Sequence, residues 1–223
     1  MVFIRRAAPV SLATAIVVAV GLWGSSVANG SNSTEPGHVS PELKAHVALL
    51  RHRPRTDFAA VLSAAPRDVR FTMAHWESGG RPFGCRDCRL DVNDTRVVQI
   101  GSHKVWVVPG AGGACIITQT DRPKTGTLAG QRGTYSSCSP TKRILRRGLV
   151  SFGGEPDAEL AYGLVPDGTN VVLRSPLAAH QTVPVVTNIF VLAAEIVRTV
   201  KPYSMTITVH QPDGTTASFR TDV

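Results

Sequence analysis

After residue 28 the chain has no apolar run long enough to cross a bilayer as a helix, which excludes further membrane-spanning helices. It has no internal repeat and no linker that would split off a second domain. Its seven histidines share no metal-ligand spacing. No catalytic motif survives a check of its surroundings. Pro109-Gly110-Ala111-Gly112-Gly113-Ala114 carries the glycines of a phosphate-binding loop, but such loops run from a strand into a helix N-terminus. This one leads from Val105-Trp106-Val107-Val108 into Cys115-Ile116-Ile117-Thr118, a second strand, and reads as a glycine hairpin turn. Gly148-Leu149-Val150-Ser151-Phe152-Gly153 has one residue too many for a nucleophile elbow. Asp91-Val92-Asn93-Asp94 begins like a calcium loop, yet Arg96 stands where glycine is needed and no Glu falls at the twelfth position. Glu155, Asp157 and Glu159, beside Pro156, read as a solvated loop rather than a general acid–base pair. No catalytic residue, metal or cofactor is expected.

What is present begins with an export signal. Arg5 and Arg6 form a short basic region, and Ala7 to Trp23 carries no charge. Small residues at Ser26 and Ala28 match the signal-peptidase pattern and predict cleavage between Ala28 and Asn29. An uncleaved anchor is the alternative, because an apolar stretch of about 17 residues is near the lower limit for a span. No cysteine ends the apolar region, which argues against a lipoprotein anchor. The expected location is outside the cell or in its envelope. Removing residues 1–28 leaves enough chain for one domain with a real core. Residues 29–39, opening on Asn29-Gly30-Ser31-Asn32-Ser33-Thr34-Glu35-Pro36-Gly37, read as a flexible leader, and 40–223 as a single disulfide-stapled domain.

The whole chain carries a net charge of +8, and the signal holds two arginines and no acids. Such a balance favours anionic surfaces, an envelope polymer among them. The cations gather in Arg51-His52-Arg53-Pro54-Arg55 and in Lys142-Arg143-Ile144-Leu145-Arg146-Arg147. The plain reading is two solvated faces of a basic protein. Neither run interleaves an aromatic for base stacking, which argues against nucleic acid.

Local patterns predict a mostly-β α+β fold. Ser40 can cap a helix with Pro41 at its first position, and Leu43, Val47 and Leu50 repeat on one face. Thr56-Asp57 opens a second short helix through Phe58, Val61 and Leu62, stopped before Pro66. Short β-branched runs come next, at 96–100, 104–108, 115–120, 160–165, 170–174, 182–192, 205–210 and 216–220. Their spacing suggests an antiparallel sandwich- or barrel-like sheet. Gln211-Pro212-Asp213-Gly214 reads as a hairpin turn, and Pro166-Asp167-Gly168 as another tight turn. Val191 to Val200 is open to a helical reading through Leu192, Ala193, Ala194, Glu195 and Ile196.

Four cysteines in an exported chain default to disulfides, with three possible connectivities. Locality favours Cys85–Cys88 and Cys115–Cys138. Cys85-Arg86-Asp87-Cys88 is the sharpest chemical candidate, since Arg86 and Arg89 favour a thiolate. A redox-active pair usually opens a helix, however, and the residues after Cys88 read as a loop. A structural disulfide is preferred, with thiol exchange and a metal site helped by His75 or His103 as the alternatives.

The order of several short motifs resembles a group of uncharacterised exported actinobacterial proteins. Val105-Trp106-Val107-Val108-Pro109-Gly110 precedes Cys115, Cys138 comes next, then Val165-Pro166-Asp167-Gly168, then Val185-Val186-Thr187-Asn188-Ile189-Phe190. The resemblance implies export and a Cys115–Cys138 bond. It implies no activity. Cys85 and Cys88 lie outside the shared stretch.

Three functions stay open. The first is a non-enzymatic envelope or secreted module that binds an anionic surface, a polymer or another envelope protein. The second is an enzyme, either a thiol-disulfide exchanger at Cys85/Cys88 or a hydrolase assembled from distant residues. The third is a purely structural or scaffolding role. Asn188, a polar amide within an apolar run, needs a partner, which neighbouring backbone would normally supply.

Overall fold

The Ser40 hydroxyl accepts the Leu43 N–H at 3.3 Å and caps helix α1 (Pro41–His46), as the sequence pattern requires. The expected helix does not continue to Leu50. Val47 is extended, with φ −128° and ψ 99°, and a 3-10 turn succeeds it at Ala48–Leu50. Leu43, Val47 and Leu50 are still buried together, so the break changes the path and keeps the apolar face. Val39 is buried with them, one residue inside the stretch read as leader. The computed structural model describes residues 38–52, 57–119, 133–153, 160–174, 180–192 and 205–221, all within one unit, Thr34–Val223. The expected signal segment, the acidic cluster at 155–159 and residues 193–200 lie outside the described residues.

Two more helices precede the sheets. Helix α2 (Phe58–Ala64) is the second expected helix, although the Asp57 side chain makes no cap bond. Helix α3 (Arg67–Glu77) was not expected from the sequence. Its Val69, Met73 and Trp76 repeat on one buried face, while the rest of its surface is polar or exposed.

Eleven described strands form three antiparallel sheets, none closed into a barrel. The first runs in sequence order: β1 (Arg96–Ile100), β2 (His103–Pro109), β3 (Gly113–Gln119) and β4 (Thr134–Pro140). Both of its faces are covered. Val105, Val107 and Ile116 pack against Leu43, Val47 and Leu50, while Trp106, Val108 and Ile117 pack against Val69, Met73 and Trp76. That explains the unbroken apolar runs in β2 and β3, since a strand buried on both faces loses its alternation. Helix α4 (Thr141–Arg147) then leads to β5 (Leu149–Gly153) and β6 (Leu160–Leu164), which make the second sheet with β9 (Ile189–Leu192). The third sheet has the order β11-β10-β7-β8, from β11 (Thr216–Thr221), β10 (Met205–His210), β7 (Asn170–Arg174) and β8 (Gln181–Val183). Residues of β6 alternate between two cores: Tyr162 and Leu164 face the first sheet, and Ala161 the third.

The expected strand over 182–192 is in fact two, β8 and β9, which lie in different sheets. Thr187 and Asn188 take φ of 48° and 68°, so the chain turns there. Gln211-Pro212-Asp213-Gly214 is the predicted hairpin between β10 and β11. Gly214 has φ 83°, and Asp213 accepts both the N–H and the hydroxyl of Thr215. Pro166-Asp167-Gly168 is also a tight turn, with Gly168 at φ 71°, but it carries the chain from the second sheet to the third.

Candidate functional site

The four cysteines pair as their locality in the sequence favours. Cys115 and Cys138 are direct cross-strand partners in β3 and β4, with Cα atoms 4.0 Å apart. Cys85 and Cys88 close a tight loop between α3 and β1, with Cα atoms 5.4 Å apart. Both sulfurs of that loop are enclosed, Cys85 at 2% and Cys88 at 0% exposure, and no helix begins at either. An exchange catalyst needs an accessible thiolate stabilised by its surroundings, and this loop provides neither access nor a helix terminus.

The glycine hairpin explains the enclosure. It joins β2 to β3, as the sequence pattern predicts, and lies against the backbone of the cysteine loop. Gly112 N–H donates to the Cys88 carbonyl at 3.3 Å, and Ala111 N–H to that of Arg89 at 3.2 Å. A Cβ on Gly110 would stand 2.1 Å from the Cys88 carbonyl oxygen, and one on Gly112 2.0 Å from that of Asp87. Glycine is therefore required here for close backbone approach. Cys88 Sγ lies 3.5 Å from the Ser139 carbonyl oxygen, so the loop also rests on the end of β4.

Asn188 belongs to a second polar cluster. Its Oδ1 accepts the Leu49 N–H at 3.0 Å, and its Nδ2 donates to the Val165 carbonyl at 3.0 Å and to Asp167 Oδ1 at 2.8 Å. Asp167 also accepts the Ala48 N–H at 2.9 Å and pairs with the Arg51 guanidinium. Arg51 reaches the carbonyls of Lys44 and Ala45 as well. Every connection made by Asn188 stays inside the domain, as a satisfied buried amide should.

The two basic runs separate in the structure. Arg51 is engaged in that cluster, while residues 53–55 lie outside the described ones. The second run forms α4, whose buried residues are Thr141 and Ile144. At 100° per residue, Lys142, Arg143 and Arg146 fall opposite that buried side, and Arg147 lies at its flank, next to Ile144. The first three are exposed, and the Arg147 guanidinium sits 5.2 Å from the centre of the Phe219 ring. Sequence reading found these cations but not the helix that puts them on one face. None of the four has a described carboxylate partner. The chain matches no protein family model, no curated protein and no solved structure.

Other candidates assemble no reactive set among the described residues. No group of three His, Cys, Asp or Glu side chains is placed to hold a metal there. His75 is exposed on α3, and His103 is buried at the start of β2. Asp91 caps the 3-10 turn Val92–Asp94 by accepting the Asn93 N–H, and Asp94 pairs with Arg96 at 3.0 Å. Those carboxylates are thus committed to local structure. No described helix is long and apolar enough to cross a membrane.

Proposed function

We propose that this chain is an exported, non-enzymatic envelope or secreted module that binds an anionic surface, with α4 as its contact. The observation that carries the reading is the exposed face of Lys142, Arg143 and Arg146, opposite the buried side of the helix and free of described carboxylate partners. Four cations in seven residues repel one another, so the arrangement favours an external anion over its own surface. Arg147, held over Phe219, keeps the helix against β11 while its neighbours face outward. Two disulfides and a first sheet packed on both faces supply the base. The enclosed Cys85–Cys88 pair supports a structural use over thiol exchange.

The test is binding of the oxidised full chain to long-chain inorganic polyphosphate at low and high salt. Each lysine or arginine near an anionic surface contributes about 1 kcal/mol, so K142A/R143A/R146A is expected to weaken binding about 100-fold. Wild-type binding should weaken as salt rises and the charges are screened. Equal affinity of variant and wild type would sink the assignment to α4. Absence of wild-type binding at low salt would sink the anionic-surface reading itself.

A further inference from the structure

The segment that leads into the Cys85–Cys88 disulfide displays one feature that packing does not use. Phe83 is 96% exposed, the most exposed of the large apolar side chains described. Single apolar residues scattered over a surface are common and by themselves need no explanation. Phe83 is different, because its surroundings are fixed. Pro82 is buried on one side, and Cys85 and Cys88 on the other. Gly84 turns the chain between them at φ 84°. The loop is then held by the disulfide, by the glycine hairpin beneath it and by the end of β4. Phe83 is held out in water by a rigid mount.

The charges around it define what it fits. Arg81, Arg86 and Arg89 are all exposed, and Asp87 is the one acid within the loop. None of the three guanidinium groups pairs with a described carboxylate. An exposed aromatic with exposed arginines on either side of it in the chain matches the boundary of an anionic bilayer, where the ring enters the acyl region and the cations meet phosphates. A soluble polyanion would satisfy the arginines but offers no apolar phase for the ring. The loop also rests on the strand that runs directly into α4, so the two basic features adjoin.

We infer that the Phe83 loop is a membrane-seating wedge, and that the anionic surface bound by this protein is a phospholipid bilayer rich in anionic headgroups. The inference rests on the α4 reading and names its partner. Phe83 inserts at the headgroup–acyl boundary while Arg81 and Arg86 contact lipid phosphates. Insertion is shallow, since one side chain and not a helix is offered.

The experiment is sedimentation of the oxidised full chain with vesicles of phosphatidylcholine, with and without one third phosphatidylglycerol, alongside the polyphosphate assay. F83S should fold with unchanged thermal stability, because the side chain contacts almost nothing. It should lose about 10- to 100-fold in affinity for the phosphatidylglycerol vesicles, the value of removing one buried aromatic, and bind polyphosphate as wild type does. F83W should fold likewise, and its added fluorescence should be quenched by brominated acyl chains. F83S binding vesicles like wild type, or F83W fluorescence untouched by brominated lipid, overturns the wedge. Polyphosphate binding with no vesicle binding overturns the lipid assignment and leaves the α4 reading in place. Loss of both in the wild type removes both.

Discussion

Replacing Asn188 by alanine should cost this protein a large part of its stability. The amide side chain answers two backbone groups from distant segments, the Leu49 N–H and the Val165 carbonyl, and also bonds the Asp167 carboxylate. Alanine leaves both backbone groups without that partner, at about 1–2 kcal/mol each. It also has to hold φ 68°, a left-handed conformation that asparagine tolerates and alanine resists by about 1 kcal/mol. The sum is about 3–5 kcal/mol out of a total that for ordinary domains is about 5–15 kcal/mol. N188G isolates the backbone contribution: it loses the same bonds but accepts the positive φ. It should be at most about 0.5 kcal/mol more stable than N188A, strain relief of about 1 kcal/mol being largely offset by the freer unfolded chain. N188D should be the worst at neutral pH, because it sets an acceptor against the Asp167 carboxylate and the Val165 carbonyl. Urea unfolding of the oxidised chain, monitored by tryptophan fluorescence and compared at equal slope, reads all three. A loss below about 1 kcal/mol for N188A would refute the view that this amide ties the N-terminal helices to the sheet turns.

Two further outcomes concern the core. The Cys115–Cys138 bond closes a sequence separation of 23, so C115A/C138A should lose about 3.4 kcal/mol by the chain-entropy relation, against roughly half that for C85A/C88A; equal losses in urea unfolding would contradict it. Burial pushes the Tyr162 phenol above its ordinary value of 10.0; its bond to Ser151, directly across the β5–β6 pair, opposes the shift, and Tyr135 adds to it. Since the folded-state pKa is the higher one, this stabilisation is complete below the unfolded value and is lost as pH rises through the folded one. Y162F should flatten the alkaline limb of a stability-against-pH curve, and an unchanged limb would show that Tyr162 does not govern it.

Much of the fold is legible wherever local chemistry and tertiary need agree. The Ser40 cap needs a side-chain acceptor, the glycine hairpin needs positions without a Cβ, and the Pro-Asp-Gly turns need a positive φ at their glycine; those residues are present. Legibility fails where the signal is weak or shared. Helix α3 buries one narrow apolar face within a polar segment, so its periodicity is faint. Strand β4, Thr134-Tyr135-Ser136-Ser137-Cys138-Ser139-Pro140, lies at the edge of its sheet and is only partly buried, so its serines look like a loop. Helix α4 hides inside a run of charges, because its net charge masks the 3.6-residue placement of Thr141 and Ile144. Asn188 looks like a polar intrusion into a strand and is instead the residue at which the chain turns into β9. Phe83 carries no sequence signal of its own, since exposure on a rigid mount is a property of the fold.

Several residues of the short motifs quoted from the sequence serve the scaffold. Gly110 of the Trp-x-Val-Val-Pro-Gly run has no room for a Cβ beneath the Cys88 and Arg89 carbonyls. Asp167 of the Val-Pro-Asp-Gly turn and Asn188 of the later run bond one another and the same 3-10 turn. Cys115 and Cys138 join adjacent strands. Gly110, Asp167, Asn188, Cys115 and Cys138 thus each have a structural reason within the domain. Lys142, Arg143 and Arg146 of α4, and Phe83 with its neighbouring arginines, have the opposite character: their side chains are exposed and none of these cations pairs with a described carboxylate. A scaffold specified by one set of residues and a surface written by another is the arrangement expected of a binding module. Its partner would then change through α4 and the Phe83 loop without disturbing the core.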